Sequence, residues 1–517
     1  MMLISLIFAL AASGATEPKA FPPDADIRFD TVAARRHLEY LSSDAMRGRD
    51  TPSPELETAA NYISNTFKRV GLEPINGSYD QPYDLERLDL ALPSSLMLRR
   101  GTDSLLCEVK ADFIPFEQTG EASFSNAPIL FAGFGIVADE YQYNDYAGVD
   151  AKGTVIVILR GEPENDDTTR FRGKQNTRYS SLGDKLKTAR SQGAIGVLVI
   201  DALRALRKPF VSGYPWPSIY PNLSRSTRPL QMPDTTLRLP ALHVGGRVVN
   251  FLLDSVAEVV SLTRSIDSTL TPHSRMLPGA RASFSIALAR EIITVRNVAG
   301  VLRGSKYPDE YVVMGAHYDH VGVGKANAEG DSIFNGADDN GSGTTGLLLA
   351  AEALASSSER PARSVVFVAF SGEEKGLYGS KAYVRASPLP LSKCVAMTNM
   401  DMIGRCEFNK LSIGGNERCP DISRINAEEN AALSAPFDLA YDIERYFFRS
   451  DQASFAMKRI PVIFYFTGEH KDYHKQGDEI SKINMRDLVA ITRLATRVTW
   501  RTAHLPRTTY VPAGFED

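Results

Sequence analysis

Several residues of the kinds that bind metal ions lie directly after runs of apolar residues in this 517-residue chain. His317 ends the run YVVMGAH, and Asp319 follows two residues later. Because an extended strand repeats its facing every two residues, Asp319 is placed to orient the imidazole ring of His317. We therefore expect His317 to bind a metal ion and Asp319 to support it.

Three more apolar runs end in residues of the same kinds. The run SVVFVAFSGEE ends in Glu373 and Glu374, CVAMTNMD ends in Asp401, and the loop after IPVIFYF carries His474. Adjacent side chains must diverge, so one glutamate can bind a metal ion while its neighbour reaches a water molecule beside that ion. The two aspartates of GADDNGSG lie in a glycine-rich turn, where a carboxylate can bridge two ions.

Together, two histidines, two aspartates and a glutamate suit a pair of zinc ions. One such residue alone is readily explained as a surface polar residue of a loop. Four of them at four successive strand ends, together with a fifth in the glycine-rich turn, favour a metal centre. His320 and His470 lie near the same motifs, and we interpret both as residues of the cleft wall or the surface.

The apolar pattern after residue 290 alternates between strands and helices. The four runs above are strand-like, GTTGLLLAAEALASS is helical, and a last helix is predicted near 485–502. This alternation predicts an α/β fold with a central, mostly parallel or mixed sheet flanked by helices on both faces. In such sheets, sites form beyond the carboxyl ends of the strands, which is where the candidate ligands lie.

A further amphipathic helix is predicted near the start of the chain. Its apolar residues recur at helical spacing between Pro54 and Val70, Ser53 is its expected cap, and Gly71 ends it. We expect this helix to pack on the main sheet. The preceding loop SSDAMRGRD either lines a cleft or is an ordinary polar connection, and we favour the second interpretation.

Length and composition bound the domain organisation. The chain exceeds a single core, since cores stop growing at about 250–300 residues. Between residues 105 and 275 the sequence consists of short β-rich runs separated by Gly, Pro, Asn and Asp. We predict a domain built from 25–104 and 280–505, with 105–275 inserted as a second domain. With 58 basic against 62 acidic side chains, the chain has no net field that would attract nucleic acid.

The first residues, MMLISLIFALAASGATEPKA, combine an apolar core with small residues. This pattern predicts a signal peptide over residues 1–15, and hence an exported protein that is periplasmic or extracellular. No later apolar run reaches the roughly 18 residues of a membrane span, so we expect no membrane anchor. Cys406 and Cys419 either close a local disulfide or stay free thiols.

Five motifs resemble those of a known family: GAHYDH, NGADDNGSG, AFSGEEKGLYGS, NMDMIG and DYHKQGD, in this order. They are similar to the motifs of zinc-dependent aminopeptidases and glutamate-carboxypeptidase-like peptidases, whose site holds two Zn²⁺ ions. The resemblance implies that Asp339 bridges the two ions. It places His317 and Asp401 on one ion and Glu374 and His474 on the other.

The same resemblance implies a reaction, the hydrolysis of peptide bonds. It makes Glu373 the general base and gives Tyr473 a hydrogen bond to the oxyanion that forms during the reaction. We expect peptide substrates and, most of all, an aminopeptidase that releases N-terminal residues. A carboxypeptidase or dipeptidase of the same family is the alternative, with Arg405 or Arg449 to hold a terminal carboxylate, and a non-catalytic receptor-type relative is a third reading.

The inserted segment resembles a protease-associated domain. The resemblance is carried by ILFAGFGIVADEYQYNDYAGVDAKGTVIVILRGEP and DKLKTARSQGAIGVLVI. In relatives this domain flanks or covers the cleft, which implies either a gate for substrates or a structural lid. One departure from the family pattern is Gln452, where many relatives have histidine after the residues SD.

Overall fold

The computed structural model describes residues 19–116, 119–173, 175–206, 230–233 and 238–512. The predicted signal peptide, residues 1–15, lies outside these ranges. Internal contacts divide the chain into two units. The second unit is Leu85–Ile293, and the first unit consists of the described residues before and after it. The predicted inserted segment, 105–275, falls inside the second unit.

The described part of the first unit begins with three helices and two strands. They are α1 (Pro23–Asp26), α2 (Thr31–Leu41), α3 (Pro54–Arg69), β1 (Glu73–Pro74) and β2 (Asp80–Arg100), most of which lies in the second unit. Helix α3 is the predicted amphipathic helix: Ser53 Oγ accepts a hydrogen bond from Leu56 N at 3.0 Å, and Leu56, Ile63 and Phe67 are buried. The loop SSDAMRGRD differs from the expected polar connection, because Met46, Gly48 and Arg49 in it are buried.

The described residues of the second unit form a mixed sheet and three α-helices. Its elements are β3 (Asp103–Cys107), β4 (Phe113–Pro115), β5 (Ala122–Phe131), β6 (Val137–Ala138), β7 (Tyr143–Asn144), β8 (Val155–Leu159), α4 (Leu182–Ser191), β9 (Gly196–Ile200), β10 (Leu230–Gln231), β11 (Ala241–Val244), α5 (Gly246–Leu253), α6 (Val256–Thr269) and most of β12 (Arg275–Leu302). The strand order β12-β5-β8-β9-β11-β4 is parallel from β5 to β11. Strands β8 and β9 are buried along their whole length, as their unbroken apolar runs predict.

The rest of the first unit alternates strands and helices. Its elements are β13 (Tyr307–His317), α7 (Gly343–Ser356), β14 (Arg363–Phe370), α8 (Tyr378–Arg385), β15 (Cys394–Met400), β16 (Lys410–Gly414), α9 (Pro420–Ala431), β17 (Asp438–Ala440), α10 (Gln452–Ala456), β18 (Val462–Phe466) and α11 (Met485–Thr502). The sheet order is β17-β16-β18-β15-β13-β14-β12. It is a mixed sheet flanked by helices, which confirms the predicted fold class.

Four neighbouring strands of this sheet run parallel and end at the same edge. His317 at the end of β13 is in register with Phe370 of β14, Gly315 with Asn399 of β15, and Met400 with Tyr465 of β18. The loops that follow these strands therefore converge at one edge. These are the loops that carry the candidate ligands.

Helices cover both faces of the sheet because alternate residues of each strand point in opposite directions. On one face, Tyr383 of α8 and Phe455 of α10 share a buried cluster with Val366. On the other, Phe67 of α3 contacts Phe367 of β14, with 6.3 Å between ring centroids. No helix within the described residues combines the length and apolarity needed to cross a bilayer.

Helix α7 begins in close contact with the end of β15. A Cβ atom on Gly343 would collide with Asn340 Oδ1 and with the main-chain oxygen of Met400. We predict that Gly343→Ala lowers the free energy of unfolding by about 1–3 kcal/mol, because the backbone of β15 cannot move away without displacing the sheet. Urea denaturation followed by circular dichroism measures this change.

Gly183→Ala is the matched control, since Gly183 also lies in a helix but its nearest neighbour would be Ser181 Oγ at 3.7 Å. It should leave stability unchanged or raise it by about 0.5–1 kcal/mol, the usual gain from replacing a helical glycine. Equal effects of the two substitutions would contradict the close packing of α7 on β15.

Candidate metal centre

The five predicted ligands come together at the edge where the parallel strands end. His317 ends β13, Asp401 follows β15, Glu374 follows β14, and His474 lies in the loop after β18. Asp339 lies in the buried turn Ala337–Ser342 that leads into α7. Sequence spacing thus predicted which strand ends supply the cluster.

Asp339 is at the centre of this cluster. Its Oδ1 atom lies 3.4 Å from His317 Nε2, and its Oδ2 atom lies 3.1 Å from His474 Nε2. Each histidine has one further carboxylate: Asp401 Oδ1 is 3.4 Å from His317 Nε2, and Glu374 Oε2 is 3.0 Å from His474 Nε2. The cluster therefore consists of two histidine–carboxylate pairs that share the carboxylate of Asp339.

His317 is oriented by the main chain of Asp319 more than by its side chain. His317 Nδ1 lies 3.1 Å from the main-chain oxygen of Asp319 and 3.6 Å from its Oδ1 atom. A hydrogen bond from Nδ1 leaves Nε2 as the lone-pair nitrogen that faces the cluster. The Asp319 carboxylate instead accepts hydrogen bonds from Thr51 Oγ1 at 2.9 Å and Glu373 N at 3.2 Å. It links two loops, a role that the spacing did not predict.

His320 is not a surface residue, contrary to one of the two readings given to it. Its side chain is fully buried, and Nδ1 lies 2.8 Å from Glu374 Oε1 and 3.7 Å from Asp339 Oδ2. The chain turns after Asp319, where His320 pairs with Asp50, and this turn brings the ring back to the cluster. His320 holds one oxygen of Glu374 while the other oxygen faces His474. Its position three residues after His317 was the available signal.

A second layer of polar residues fixes the turn that carries Asp339. Asp478 accepts hydrogen bonds from the main-chain nitrogens of Asp338 and Asp339 at 3.0 Å each. His470 Nε2 lies 3.3 Å from Asp338 Oδ2, and His470 Nδ1 lies 3.2 Å from Arg405 Nη1. His470, whose side chain is 8% exposed, thus supports the turn that carries Asp339, contrary to its surface reading. Asp478 ends the motif DYHKQGD but was assigned no role from sequence.

Glu373 and Tyr473 lie beside the cluster, on the wall of a partly open cavity. Glu373 Oε2 is 3.9 Å from His317 Nε2. Burial raises the pKa of Glu373 well above its ordinary value; the charge of His317 opposes this shift, and that of Glu374 adds to it. The ring of Tyr473 stacks on His474, with 3.9 Å between centroids. Both residues can therefore reach a molecule bound in the cavity.

Gln452, the residue that departs from the family pattern, forms hydrogen bonds with residues other than the predicted ligands. Asn399 Nδ2 donates a hydrogen bond to Gln452 Oε1 at 2.7 Å, and Gln452 Nε2 donates to the main-chain oxygen of Phe447 at 2.8 Å. The fully buried amide therefore holds the end of β15. All four cysteines are buried, and no disulfide joins Cys406 to Cys419 in this structure.

The charges within the cluster lower the pKa of its central carboxylate and raise the pKa of its histidines. Burial alone would raise the pKa of Asp339, but the nearby imidazole rings of His317 and His474 outweigh burial and hold the pKa well below its ordinary value. Burial would lower the pKa of His474, but Asp339 and Glu374 raise it to about 10. Protons and metal ions compete for these histidine nitrogens, so metal binding should weaken as the pH falls.

The donor set of the cluster fits zinc. Imidazole nitrogens and carboxylate oxygens are ordinary zinc ligands. Among the described residues, Asp401 Oδ1 and His474 Nε2 are buried without a hydrogen-bond partner, although both face the cluster. Buried polar atoms rarely lack a partner, and a cation held between these groups would satisfy them.

Known proteins are similar to this chain in sequence and in fold. Residues 297–499 match peptidase family M28. This match confirms the resemblance to zinc peptidases, and the M28 segment carries all five predicted ligands. The aminopeptidase from Aneurinibacillus sp. strain AM-1 has a similar fold, with a TM-score of 0.53 at 19% identity over 95% of this chain and 98% of that one.

Two curated relatives are similar in sequence. A glutamate carboxypeptidase 2 homolog of Caenorhabditis elegans is 25% identical over 74% of this chain and 52% of its own length. A probable zinc metalloprotease of Pyricularia oryzae is 28% identical over 36% of this chain and 43% of its own length. The chain thus spans about half the length of these relatives.

The cluster of histidines and carboxylates predicts stabilisation by zinc. An ion present at about 100 times its dissociation constant adds about 2.7 kcal/mol to the free energy of unfolding. We expect Zn²⁺ to raise the melting temperature at pH 7.5, and to raise it less at pH 5.5 because protonated histidines compete. Differential scanning calorimetry with and without a chelator measures this.

Asp339→Asn should remove most of the gain in melting temperature. The two carboxylate oxygens of Asp339 face one histidine each, and asparagine keeps only one oxygen for both. Asp309→Asn is its control: Asp309 lies on the same strand as His317 but is exposed. If Asp339→Asn keeps the full gain in melting temperature, the cluster is not the zinc site.

Proposed function

We propose that the protein is a zinc metallopeptidase that releases N-terminal residues from peptides and works with two Zn²⁺ ions. The observation that carries this proposal is the carboxylate of Asp339, whose two oxygens face two different histidine–carboxylate pairs. A shared carboxylate between two nitrogen ligands suits two ions close together. The match to family M28 supports the same conclusion.

Each ion would have three protein ligands. His317, Asp401 and one oxygen of Asp339 would hold the first ion, and His474, Glu374 and the other oxygen of Asp339 the second. Bound there, two zinc ions would acidify a water molecule and polarise the scissile carbonyl. The remaining steps belong to side chains around the cavity.

Glu373 is the residue placed to move protons. Its main chain is fixed by the hydrogen bond from Glu373 N to Asp319, and its side chain lines the cavity beside His317. A carboxylate there can take the proton of the attacking water and pass it to the leaving amine. Tyr473, whose ring stacks on His474 and lines the same cavity, can donate a hydrogen bond to the oxyanion.

The cavity favours a free N-terminus. Its wall carries the carboxylates of Glu373, Asp401 and Glu469, which would attract an α-ammonium group. Met402 and Phe466 provide an apolar surface in the same cavity, on which the side chain of the first residue could pack. An aminopeptidase needs both features.

A carboxypeptidase or dipeptidase is the second candidate, and Arg449 is the observation in its favour. Arg449 lines the cavity and could bind a terminal carboxylate, although its Nη1 atom lies 3.3 Å from Glu469 Oε1. Arg405, the other arginine considered, is engaged behind the site by His470 and by Asp472 at 2.8 Å. A non-catalytic receptor role is disfavoured because every ligand and Glu373 are present.

We propose export to the periplasm or the cell exterior on the strength of the apolar segment within residues 1–15 alone. We likewise propose that the second unit contains a protease-associated domain. The support is its sequence resemblance together with its mixed sheet of buried β8 and β9.

Replacing Glu373 by Gln should lower kcat by several orders of magnitude while two zinc ions per chain stay bound. The amide keeps the shape of the side chain but cannot accept the water proton. Steady-state kinetics and zinc analysis by atomic absorption measure the two quantities. Glu407→Gln, at an exposed position outside the cluster, is the control. Near-normal turnover of Glu373→Gln would sink the assignment of Glu373.

The choice of terminus is tested with pairs of substrates. Zinc-loaded protein lacking residues 1–15 should hydrolyse dipeptides and aminoacyl anilides but not their N-acetylated twins, and a chelator should abolish the activity. Acetylation removes the α-ammonium charge that the acidic wall would bind. Cleavage of acetylated peptides at their C-terminal end would replace the aminopeptidase by the carboxypeptidase.

A further inference from the structure

Arg49 joins two loops of the metal centre through their main chains. Its side chain is 1% exposed. The guanidinium donates hydrogen bonds to the carbonyl oxygens of Tyr318 at 2.9 Å, Asn335 at 2.7 Å and Gly336 at 3.0 Å, and to that of Leu41. All four acceptors are main-chain oxygens, so these bonds fix backbone positions.

The acceptors of Arg49 lie next to candidate ligands in the sequence. Tyr318 lies between His317 and Asp319, and Gly336 begins the turn that carries Asp339. The planar guanidinium group holds its donors in a fixed geometry. It therefore sets the distance between the loop of His317 and the turn of Asp339.

Thr51 makes the corresponding link to the loop of Glu373. Its hydroxyl donates to Asp319 Oδ2 at 2.9 Å and accepts from Gly372 N at 3.1 Å. Asp319 Oδ1 accepts from Glu373 N at 3.2 Å. A single buried hydroxyl thus completes a ring of hydrogen bonds between the two loops.

Burying the side chain of Arg49 is energetically unfavourable, because a buried guanidinium loses its hydration. Burial lowers the pKa of Arg49 to about 10, although the charges of Asp478 and Asp319 act in the opposite direction. The group therefore stays charged at neutral pH, close to several carboxylates of the centre. Apolar side chains could fill the same space, but they could not pair the four carbonyl oxygens.

We propose that Arg49 and Thr51 are positioning residues of the metal centre, which set the spacing of the loops carrying His317, Asp339 and Glu373 and thereby the zinc affinity and the turnover. The part that concerns turnover rests on the proposed function. The part that concerns zinc affinity does not.

The first test is Arg49→Lys in the full-length chain. Lysine keeps the charge but cannot reach acceptors on both loops. Zinc affinity, measured by competition with a chromophoric chelator, should fall by about 10- to 100-fold, the usual range for residues that support metal ligands. Turnover should fall with KM unchanged. Arg303→Lys is the control, because Arg303 is 45% exposed and pairs with Glu73 away from the site.

The second test avoids a variant that fails to fold. Thr51→Val keeps the shape of the side chain and removes its hydroxyl, and Thr51→Ser restores the hydroxyl. We expect Thr51→Val to lower zinc affinity and kcat and to speed amide hydrogen exchange of Gly372 and Glu373, and Thr51→Ser to recover most of each loss. Thr58→Val is the control, since the exposed Thr58 bonds only within its own helix.

Two outcomes would overturn the proposal. One is that Arg49→Lys and Thr51→Val bind zinc and turn over substrate like the unmodified protein. The other is that both lower the melting temperature alone, which is what a merely structural role would do. If the unmodified zinc-loaded protein cleaves no peptide, the proposed function fails, while zinc affinity and hydrogen exchange still decide the role of Arg49 and Thr51.

Discussion

The concentration of buried carboxylates at one edge of the sheet is the constraint on which the rest of the first unit depends. Asp319, Asp338, Asp339 and Asp478 are all at most 3% exposed, and Asp401 is 7% exposed. Like charges that lie close together repel strongly when water is excluded. Several neighbouring groups supply a positive charge or hydrogen-bond donors to these carboxylates. Histidines face the carboxylates from the cavity side, and main-chain N–H groups of the turn before α7 face them from behind.

The parallel strands make this concentration geometrically possible. Four strands that end in register deliver their loops to one place, and each loop needs to contribute only one or two polar side chains. The backbone around these side chains is held independently of the metal, by the main-chain bonds of Asp478, the amide of Gln452 and the contact of Gly343 with β15. Such support preorganises the ligands, so that binding an ion requires little rearrangement.

The sequence predicted those ligands and helices that local patterns of apolar and polar residues mark. His317, Glu374, Asp401 and His474 follow apolar runs whose strand character was evident, and α3, α7 and α11 lie where periodicity and caps placed them. Prediction failed where a contact joins distant parts of the chain. The spacing of His320 from His317 places it near the cluster but does not show its contact with Glu374, and nothing in SSDAMRGRD shows that Arg49 meets a carbonyl 287 residues away. Local pattern carries no information about such pairs.

The same long separations bear on how the chain folds. Arg49 and Thr51 lie before the second unit in sequence, and their partners Tyr318, Asp319, Gly336 and Gly372 lie after it. Closing a loop of this length costs conformational entropy before any of the contacts form, and folding slows as contact order rises. On a growing chain, strands β8 and β9 can pair before His317 has been synthesised. The residues of the site would then come together only after the second unit has been synthesised.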